Sequence, residues 1–275
     1  MSKIKIGTWN VNSIKARIEN LLFWLKESNP DIVLLQELKC LEENFPFAPI
    51  EDLGYNIAVK GQKTYNGVAI LSKFPIEDIV KELPSYNIDE NDDQARYIEA
   101  VISVKNSAIR VASIYVPNGN STSETGKAVN QTEKFIYKMR FYDRLYKHFQ
   151  NIAGYNEIAV FGGDYNAALQ DIDVYDPVSL KDTICFHIDE KRKLRSLLNL
   201  GYIDSFRQSN PQNQSFTWWD YRGNAKQYNK GMRIDYLLIS PLAADKLIKS
   251  EIEEKMVMER PKHSDHCPVT VYLEL

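Results

Sequence analysis

The stretch that constrains this chain most is Ile158 to Ala168, IAVFGGDYNAA. An apolar run of strand character ends in two glycines, and Asp164 and Asn166 follow with Tyr165 between them. Gly162 and Gly163 permit a tight turn or a close backbone approach that a side chain would block. A carboxylate and an amide therefore stand at a strand end. Because alternate residues on an extended chain point the same way, continued strand geometry would turn both toward one site. A carboxylate can take a proton or hold a cation, and an amide can hydrogen-bond a developing anion. On its own the stretch also reads as an ordinary strand-ending turn, since Gly, Asp and Asn dominate turns.

The rest of the chain repeats the pattern. Asn10 closes IKIGTW, Glu37 closes DIVLLQ and Tyr115 closes IRVASI, whereas Asp235 precedes YLLI, and Asp265 and His266 precede the alternating stretch PVTVYLEL. Polar groups at the ends of some strands and the starts of others share an edge only if those strands run in opposite directions. A mixed or antiparallel sheet would therefore gather Asn10, Glu37, Tyr115, Asp164, Asn166, Asp235, Asp265 and His266 along one rim. Several carboxylates on one rim repel each other unless a cation sits among them. Hard oxygen ligands with a single accompanying histidine point to Mg²⁺ or Mn²⁺ more than to zinc.

Bulk properties narrow the setting. A length of 275 residues with 44% hydrophobic content supports an extensive core, and a net charge of −3 argues against coating nucleic acid by bulk electrostatics, leaving room for a local basic face. Cys40, Cys185 and Cys267 have no CxxC spacing and an odd count, so neither a disulfide framework nor a structural zinc site is indicated. Reduced thiols, no long apolar segment behind the first lysines and no membrane span lead to the expectation of a cytoplasmic protein.

Along the chain, Lys3 to Trp9 reads as a strand, and Ile18, Leu21, Leu22 and Leu25 recur at helical spacing until Asn29-Pro30. Asp31 to Gln36 reads as an apolar strand, which opens a layered α/β fold. Tyr55 to Val59, Gly67 to Ser72, Tyr97 to Val104 and Ile109 to Val116 follow as strands with short, antiparallel-type connections. The acidic segment Asn87 to Gln94 reads as a solvated loop, and Asn118 to Thr132 as a loop leaving the rim at Tyr115. Phe135, Met139, Tyr142, Tyr146 and Phe149 form an aromatic stripe whose plain reading is core. Leu194, Leu197 and Leu198 mark another helix, and Phe206 to Tyr228 reads as irregular. The last strand carries Val269, Val271, Leu273 and Leu275 on one face. No linker, low-complexity tract or short repeat interrupts residues 1–275, so one domain is expected.

In order, TWNVNS, LLQELK, YVPNG, GGDYNAA, GMRIDYLL and SDHCPV resemble the exonuclease III class of AP endonucleases, within the endonuclease/exonuclease/phosphatase superfamily. The resemblance runs from Lys5 to Val269. It implies a four-layered α/β sandwich, two mixed and mostly antiparallel sheets flanked by helices. It also implies Mg²⁺-dependent phosphodiester hydrolysis, with Mn²⁺ able to substitute, on double-stranded DNA at abasic sites and 3′ ends, by a monomer that engages no membrane. Carried over residue by residue, Glu37 matches the principal metal ligand, with Asn10 and Asp265 beside it. Asp164 matches the residue proposed to activate the attacking water and Asn166 its partner, both within reach of the metal. His266 matches the histidine that contacts the scissile phosphate, Asp235 the carboxylate that orients it, Tyr115 a phosphate donor and Asn118 a neighbouring phosphate contact. Trp218, Met232 and Ile234 match the lining of the abasic-sugar pocket. Their plain reading is core packing, with Met232 a gap filler.

Each role has a plainer counterpart. His266 can be a satisfied structural histidine, Cys267 a small buried hydrophobe, and Tyr115, one of 16 tyrosines, is singled out only by YVPNG. His148, His187 and His263 read as structural or exposed. A phosphodiesterase on the same scaffold acting on phospholipid or RNA shares the whole catalytic set. The TWWDYR stretch before GMRIDY favours the DNA-repair branch over it. A silent DNA-binding relative is disfavoured because every catalytic position is retained. The acidic segment around Asn91 and the GNSTSETGKAVNQ loop match no assigned pattern.

Overall fold

The opening strand, helix and strand set the geometry of half the molecule. β1 (Lys3–Asn10) runs into α1 (Ile14–Glu27), capped by the Ser13 hydroxyl accepting from the Ala16 N–H. That cap supplies a partner for an amide that the helix leaves orphaned. α1 buries Ile14, Leu21, Trp24 and Leu25 and ends before Asn29, whose φ of 50° and the following Pro30 stop it. β2 (Ile32–Gln36) then returns parallel to β1, with Asn10 opposite Gln36.

The computed structural model describes residues 3–85, 92–105, 107–120 and 126–275. After β2 come α2 (Phe47–Glu51), β3 (Asn56–Lys60), β4 (Val68–Ser72), β5 (Ile76–Val80), β6 (Tyr97–Val104) and β7 (Ser107–Tyr115). The chain continues through α3 (Glu133–Ala153), β8 (Ala159–Asp164), α4 (Ile188–Leu198), β9 (Ile203–Asp204) and α5 (Ser205–Ser209). The two-residue strands β10 (Trp218–Trp219) and β11 (Gly231–Met232) pair with each other, and β12 (Asp235–Ile239), β13 (Leu247–Ile252) and β14 (Val269–Glu274) complete the set. Two six-stranded sheets result, in the orders β13-β14-β1-β2-β4-β3 and β5-β6-β7-β8-β12-β9. Each has one parallel pair at its centre, β1 with β2 and β7 with β8, and antiparallel neighbours elsewhere.

The sheets stack face to face over one apolar layer that includes Ile6, Leu34, Ile70, Ile102, Val111, Val160, Leu237 and Val271. α1 covers the outer face of the first sheet through Trp24 and Leu21, and α3 and α4 cover the second through Tyr142, Phe149, Leu194 and Leu197. This is the expected four-layered sandwich. Gly162 is what lets the layers close, and Gly163 lets β8 lie against β7. A Cβ on Gly162 would lie 2.6 Å from Leu34 Cδ1 and 2.7 Å from Leu237 Cδ2, and one on Gly163 would lie 1.9 Å from the Ile114 carbonyl oxygen.

Several expectations shift. Strand limits move by a residue or two at β1, β2, β3, β4 and β7, as hydrogen-bond ladders rather than hydrophobic runs define them. β5 and β13 escape the sequence reading because each is an edge strand with at most one fully buried side chain. Within Phe206 to Tyr228, read as irregular, the structure places part of α5 and β10. In α3 the buried face is rotated from the aromatic stripe: Phe135, Lys138, Phe141, Tyr142, Leu145 and Phe149 are buried while Met139 and Tyr146 are only partly so. Residues 87–91 of the acidic segment and 121–125 of the later loop lie outside the described residues. Asp92 is tied down, accepting from Arg144 Nη1 and the Tyr137 hydroxyl, each at 2.8 Å.

Candidate active site

Because both sheets end their central parallel pair at the same side, their polar terminal residues meet across the sandwich. From the first sheet come Asn10 at the end of β1 and Glu37 just beyond β2. From the second come Tyr115 and Asp164, opposite each other at the ends of β7 and β8. Asp235 starts antiparallel β12 opposite Asp164, and Asp265 and His266 precede β14. The rim is thus built from two sheets rather than one.

Two of these residues arrive by turns, not by the pleat. β2 ends at Gln36, and Glu37 adopts a left-handed φ of 54°. β8 ends at Asp164, and Asn166 has φ 49° with its N–H donating to Asp164 Oδ1 at 2.9 Å. The side-chain period of two that sequence reasoning assumed stops at Asp164. A hydrogen-bonded Asx-type turn brings Asn166 back instead.

Asn10 is fully buried and its Nδ2 donates to Glu37 Oε1 at 2.8 Å and to Asp164 Oδ2 at 3.0 Å. Asn166 Nδ2 donates to the same Asp164 oxygen at 3.1 Å, and Asn118 Nδ2 donates to Asn166 Oδ1 at 2.9 Å. Asp235 lies 2.9 Å from His266 Nδ1, which leaves Nε2 directed at Asp164 Oδ2 across 3.8 Å. Trp9 Nε1 donates to the His266 carbonyl at 3.0 Å, and Ser264 Oγ to the Asn10 carbonyl at 2.8 Å, so the segment before β14 is pinned to β1.

Electrostatics follow from crowding. Burial, with Asp235 and Glu37 adding to it against the pull of His266, pushes the Asp164 carboxyl up to about 7. Burial opposes charge on His266, but Asp235 and Asp164 outweigh it and push the imidazole up to about 10, so it is cationic at neutral pH. Burial acts against ionisation of Glu37 too, yet Lys39 and the Asn10 amide bring its carboxyl below the usual value. Burial and then Glu37 hold the Tyr115 phenol protonated, well above its ordinary value.

Glu37, Asp164 and His266 each place a ligand atom within 4.8 Å of the others. The two carboxylates, with Asn10 between them, fit a hard divalent cation. The protonated His266 fits a donor role better than a ligand role. Asp265 sits apart from this triplet: its Oδ1 accepts from Asn12 Nδ2 at 2.8 Å and its Oδ2 from Trp218 Nε1 at 3.1 Å. Trp218 is half-buried at the edge of an apolar cluster in which Met232 and Ile234 are 6% and 2% exposed, beside Val174, Phe186 and Cys185.

The site opens into a cleft of ≈ 550 Å³ lined by Glu37, Lys39, Arg96, Tyr115, Asn118 and Lys134, among others. A larger groove of ≈ 600 Å³ between α3 and α4 contains none of the rim residues, so the chemistry favours the smaller one. Sequence reasoning missed Arg96, whose guanidinium lies 4.7 Å from the Tyr115 ring centroid, and Lys39, whose Nζ lies 2.9 Å from Glu37 Oε2. Lys39 was within reach, since QELK already contained it. Arg96 carried no motif. Of the remaining histidines, His148 pairs with Glu99 at 2.7 Å, His187 caps α4 and His263 stacks near Tyr221.

Comparison with known proteins gives a consistent result. The description "Endonuclease/Exonuclease/phosphatase family" matches residues 7–266. The chain is 31% identical to "Exodeoxyribonuclease III" of Haemophilus influenzae, over 97% of this chain and 98% of that one. A solved "3' phosphatase NExo" from Neisseria, bound to a product DNA hairpin, is 33% identical with a TM-score of 0.89, covering 99% of this chain and 100% of that one. An AP endonuclease from Archaeoglobus fulgidus is 34% identical with a TM-score of 0.86, again covering 99% and 100%.

Proposed function

Since the chain belongs to the endonuclease/exonuclease/phosphatase family, we propose that its rim hydrolyses DNA phosphodiesters in the manner of exodeoxyribonuclease III and AP endonucleases. The expected action is cleavage 5′ to abasic sites together with 3′-end trimming, by a monomeric cytoplasmic enzyme whose one catalytic domain spans residues 1–275. The likeness over the full chain to an exodeoxyribonuclease III, an AP endonuclease and a phosphatase seen with product DNA supports DNA as the substrate. Among the described residues no helix is long and apolar enough to cross a membrane, and the three cysteines are free and buried.

The observation that carries the reading is the pairing of a proton-accepting Asp164 with a cationic His266 at 3.8 Å, joined through Asn10 to Glu37, which lines a cleft bearing Lys39, Arg96 and Lys134. A phosphodiester is anionic and repels an incoming nucleophile, so charge neutralisation and a matched base are the main requirements. Asp164, poised near neutrality, takes the proton of the attacking water. Asn166 and Asn10 each donate to its Oδ2 and hold its orientation. His266, fixed through Nδ1 by Asp235, offers Nε2–H to a phosphoryl oxygen, and the protonated Tyr115 phenol offers a second donor. Glu37 and Asp164, with Asn10 and with Asp265 at the margin, would hold Mg²⁺ or Mn²⁺. When bound, such an ion supplies charge neutralisation at the scissile phosphate. Asn118 would contact a neighbouring phosphate, and Trp218, Met232 and Ile234 would line the abasic-sugar pocket.

The test is hydrolysis of three duplexes, one carrying an abasic-site analogue, one nicked and one intact, with Mg²⁺ or with EDTA. Phosphatidylinositol phosphates and oligoadenylate RNA serve as competing substrates. Cleavage of the abasic and 3′-ended duplexes only with the metal is expected. Preference for lipid or RNA would overturn the assignment.

A further inference from the structure

Behind the amides of Asn118 and Asn166 lies an ion pair with no access to water. Lys138 on α3 and Glu190 in the first turn of α4 both have fully buried side chains and are in direct contact. The Lys138 ammonium also donates to two backbone carbonyls, Asn118 at 3.0 Å and Asn166 at 2.6 Å. All three of its protons thus have acceptors. Glu190 in turn accepts from the Cys185 N–H at 3.2 Å and the His187 N–H at 2.9 Å. The lysine stem runs beneath Gly119, where a Cβ would lie 2.9 Å from Lys138 Cδ and φ is +85°.

The two carbonyls that Lys138 holds belong to the residues whose side chains form the amide pair beside Asp164. Asn166 Oδ1 accepts from Asn118 Nδ2 at 2.9 Å and lies 3.7 Å from Cys185 Sγ, so donors crowd that oxygen. A flipped amide would set its NH₂ against them. Asn166 Nδ2 is thereby aimed at Asp164 Oδ2. Stability alone is a weak reason to bury such a pair, because well-packed apolar residues of similar volume usually serve a fold as well or better. What an apolar residue cannot do is bind two inward carbonyls from different loops at once.

We propose that Lys138, held by Glu190 and assisted by the Cys185 thiol, is a positioning residue for hydrolysis, fixing the Asn118 and Asn166 loops so that the Asn166 amide steadies Asp164. The proposal rests on the roles given to Asp164 and Asn166 above. It is tested by a double-mutant cycle on the abasic duplex in Mg²⁺, at a temperature where circular dichroism shows every variant folded. Lys138→Met is expected to lower kcat by about 10-fold or more with KM within about 3-fold, because small misplacements at a reacting centre act on turnover. In an Asn166→Ala background the same change should cost under about 3-fold more, since members of one constellation are not additive. An impaired Asn166→Ala beside a Lys138→Met variant of full kcat, or losses that multiply, would overturn the positioning role alone. An Asn166→Ala variant of full kcat would instead defeat the site reading. Should Lys138→Met fail to fold, Cys185→Ala takes its place in the cycle. A kcat loss of about 5-fold, restored by Cys185→Ser, is expected there, and equal kcat in all three proteins overturns the proposal.

Discussion

Two buried ionic clusters lie close together in sequence and differ in charge balance. At the rim, Asp164, Asp235 and Glu37 face His266, and of these carboxylates Lys39 pairs with Glu37 alone. On the flank, Asp173 and Asp204 face Arg233 and Arg207: Asp173 Oδ1 is 2.8 Å from Arg233 Nε and 2.6 Å from Arg207 Nη2, and Asp204 Oδ2 is 2.8 Å from Arg233 Nη2. The last contact is an ion pair without hydrogen-bond geometry, as both atoms lack a hydrogen-bond partner. Burial acts to raise Asp164 and Asp173 alike, but the arginines bring Asp173 below its ordinary value whereas Asp164 is left near 7. The RIDY segment feeds both clusters, Arg233 into one and Asp235 into the other. A cluster that closes on itself is architecture. One that leaves carboxylates facing each other is prepared for a cation and a substrate.

The sharpest way to break this contrast is Asp164→Asn. It should lower kcat by roughly 10²- to 10⁴-fold while leaving DNA affinity unchanged or improved and the melting temperature no lower. Single-turnover kinetics and a thermal melt decide it, and near-normal turnover would move the base elsewhere. Arg233→Met should do the reverse. Stranding Asp204, and leaving Asp173 to Arg207 alone, should cost roughly 3–5 kcal/mol in urea unfolding, with the kcat of the folded fraction retained. A loss of turnover at full stability would make the flank part of the site. Next in size, Glu37→Gln removes a charge from the ion and should raise the Mg²⁺ concentration for half activity by on the order of 10-fold. An unchanged metal titration would sink the ligand assignment.

The pH response separates the clusters further. Asp173, held below 3.8 in the fold, contributes stability that is present above pH 3.8 and lost as pH falls, so Asp173→Asn should flatten the acid limb of a stability profile. Asp164 has the opposite sign. The folded state binds its proton more tightly, so metal-free stability declines as pH rises from 3.8 to about 7. His266 adds a stabilisation that is full below 6.5 and lost as pH rises through about 10, which continues the decline. The melting-temperature gap between Mg²⁺-loaded and EDTA-treated protein should therefore widen from pH 5 to pH 8. A constant gap would detach the cation from these groups. The smallest expected effect is at Trp218, bonded to Asp265 and half-buried. Trp218→Ala should weaken abasic-site cleavage by a few-fold more than hydrolysis at a plain 3′ terminus, and equal losses would return it to packing.

What the sequence disclosed was the ends of strands. Asn10, Tyr115 and Asp164 were legible because an apolar run stops at each and Asp235 because one starts there, and a stacked pair of sheets turns such ends toward one another. Asn166 was found for an incomplete reason, since its turn and not the pleat returns it to the site. Lys138 was hidden because charged residues beside an aromatic stripe read as a solvated face, and its partner Glu190 lies 52 positions away. Arg96 was silent because stacking on Tyr115 leaves no local pattern. Long-range pairing is invisible until strand order is known.

The seam between β1 and β14 has a bearing on how such a protein is made. Trp9 and His266 are bonded across a separation of 257 residues, and Lys3 stands opposite Glu274. A ribosome delivers β1 early and His266 late, so a nascent chain carries Asn10, Glu37 and Asp164 while it still lacks the imidazole they surround. The cutting edge is assembled only when the late strand docks beside the early one. A half-translated product therefore lacks the imidazole that the proposed chemistry requires.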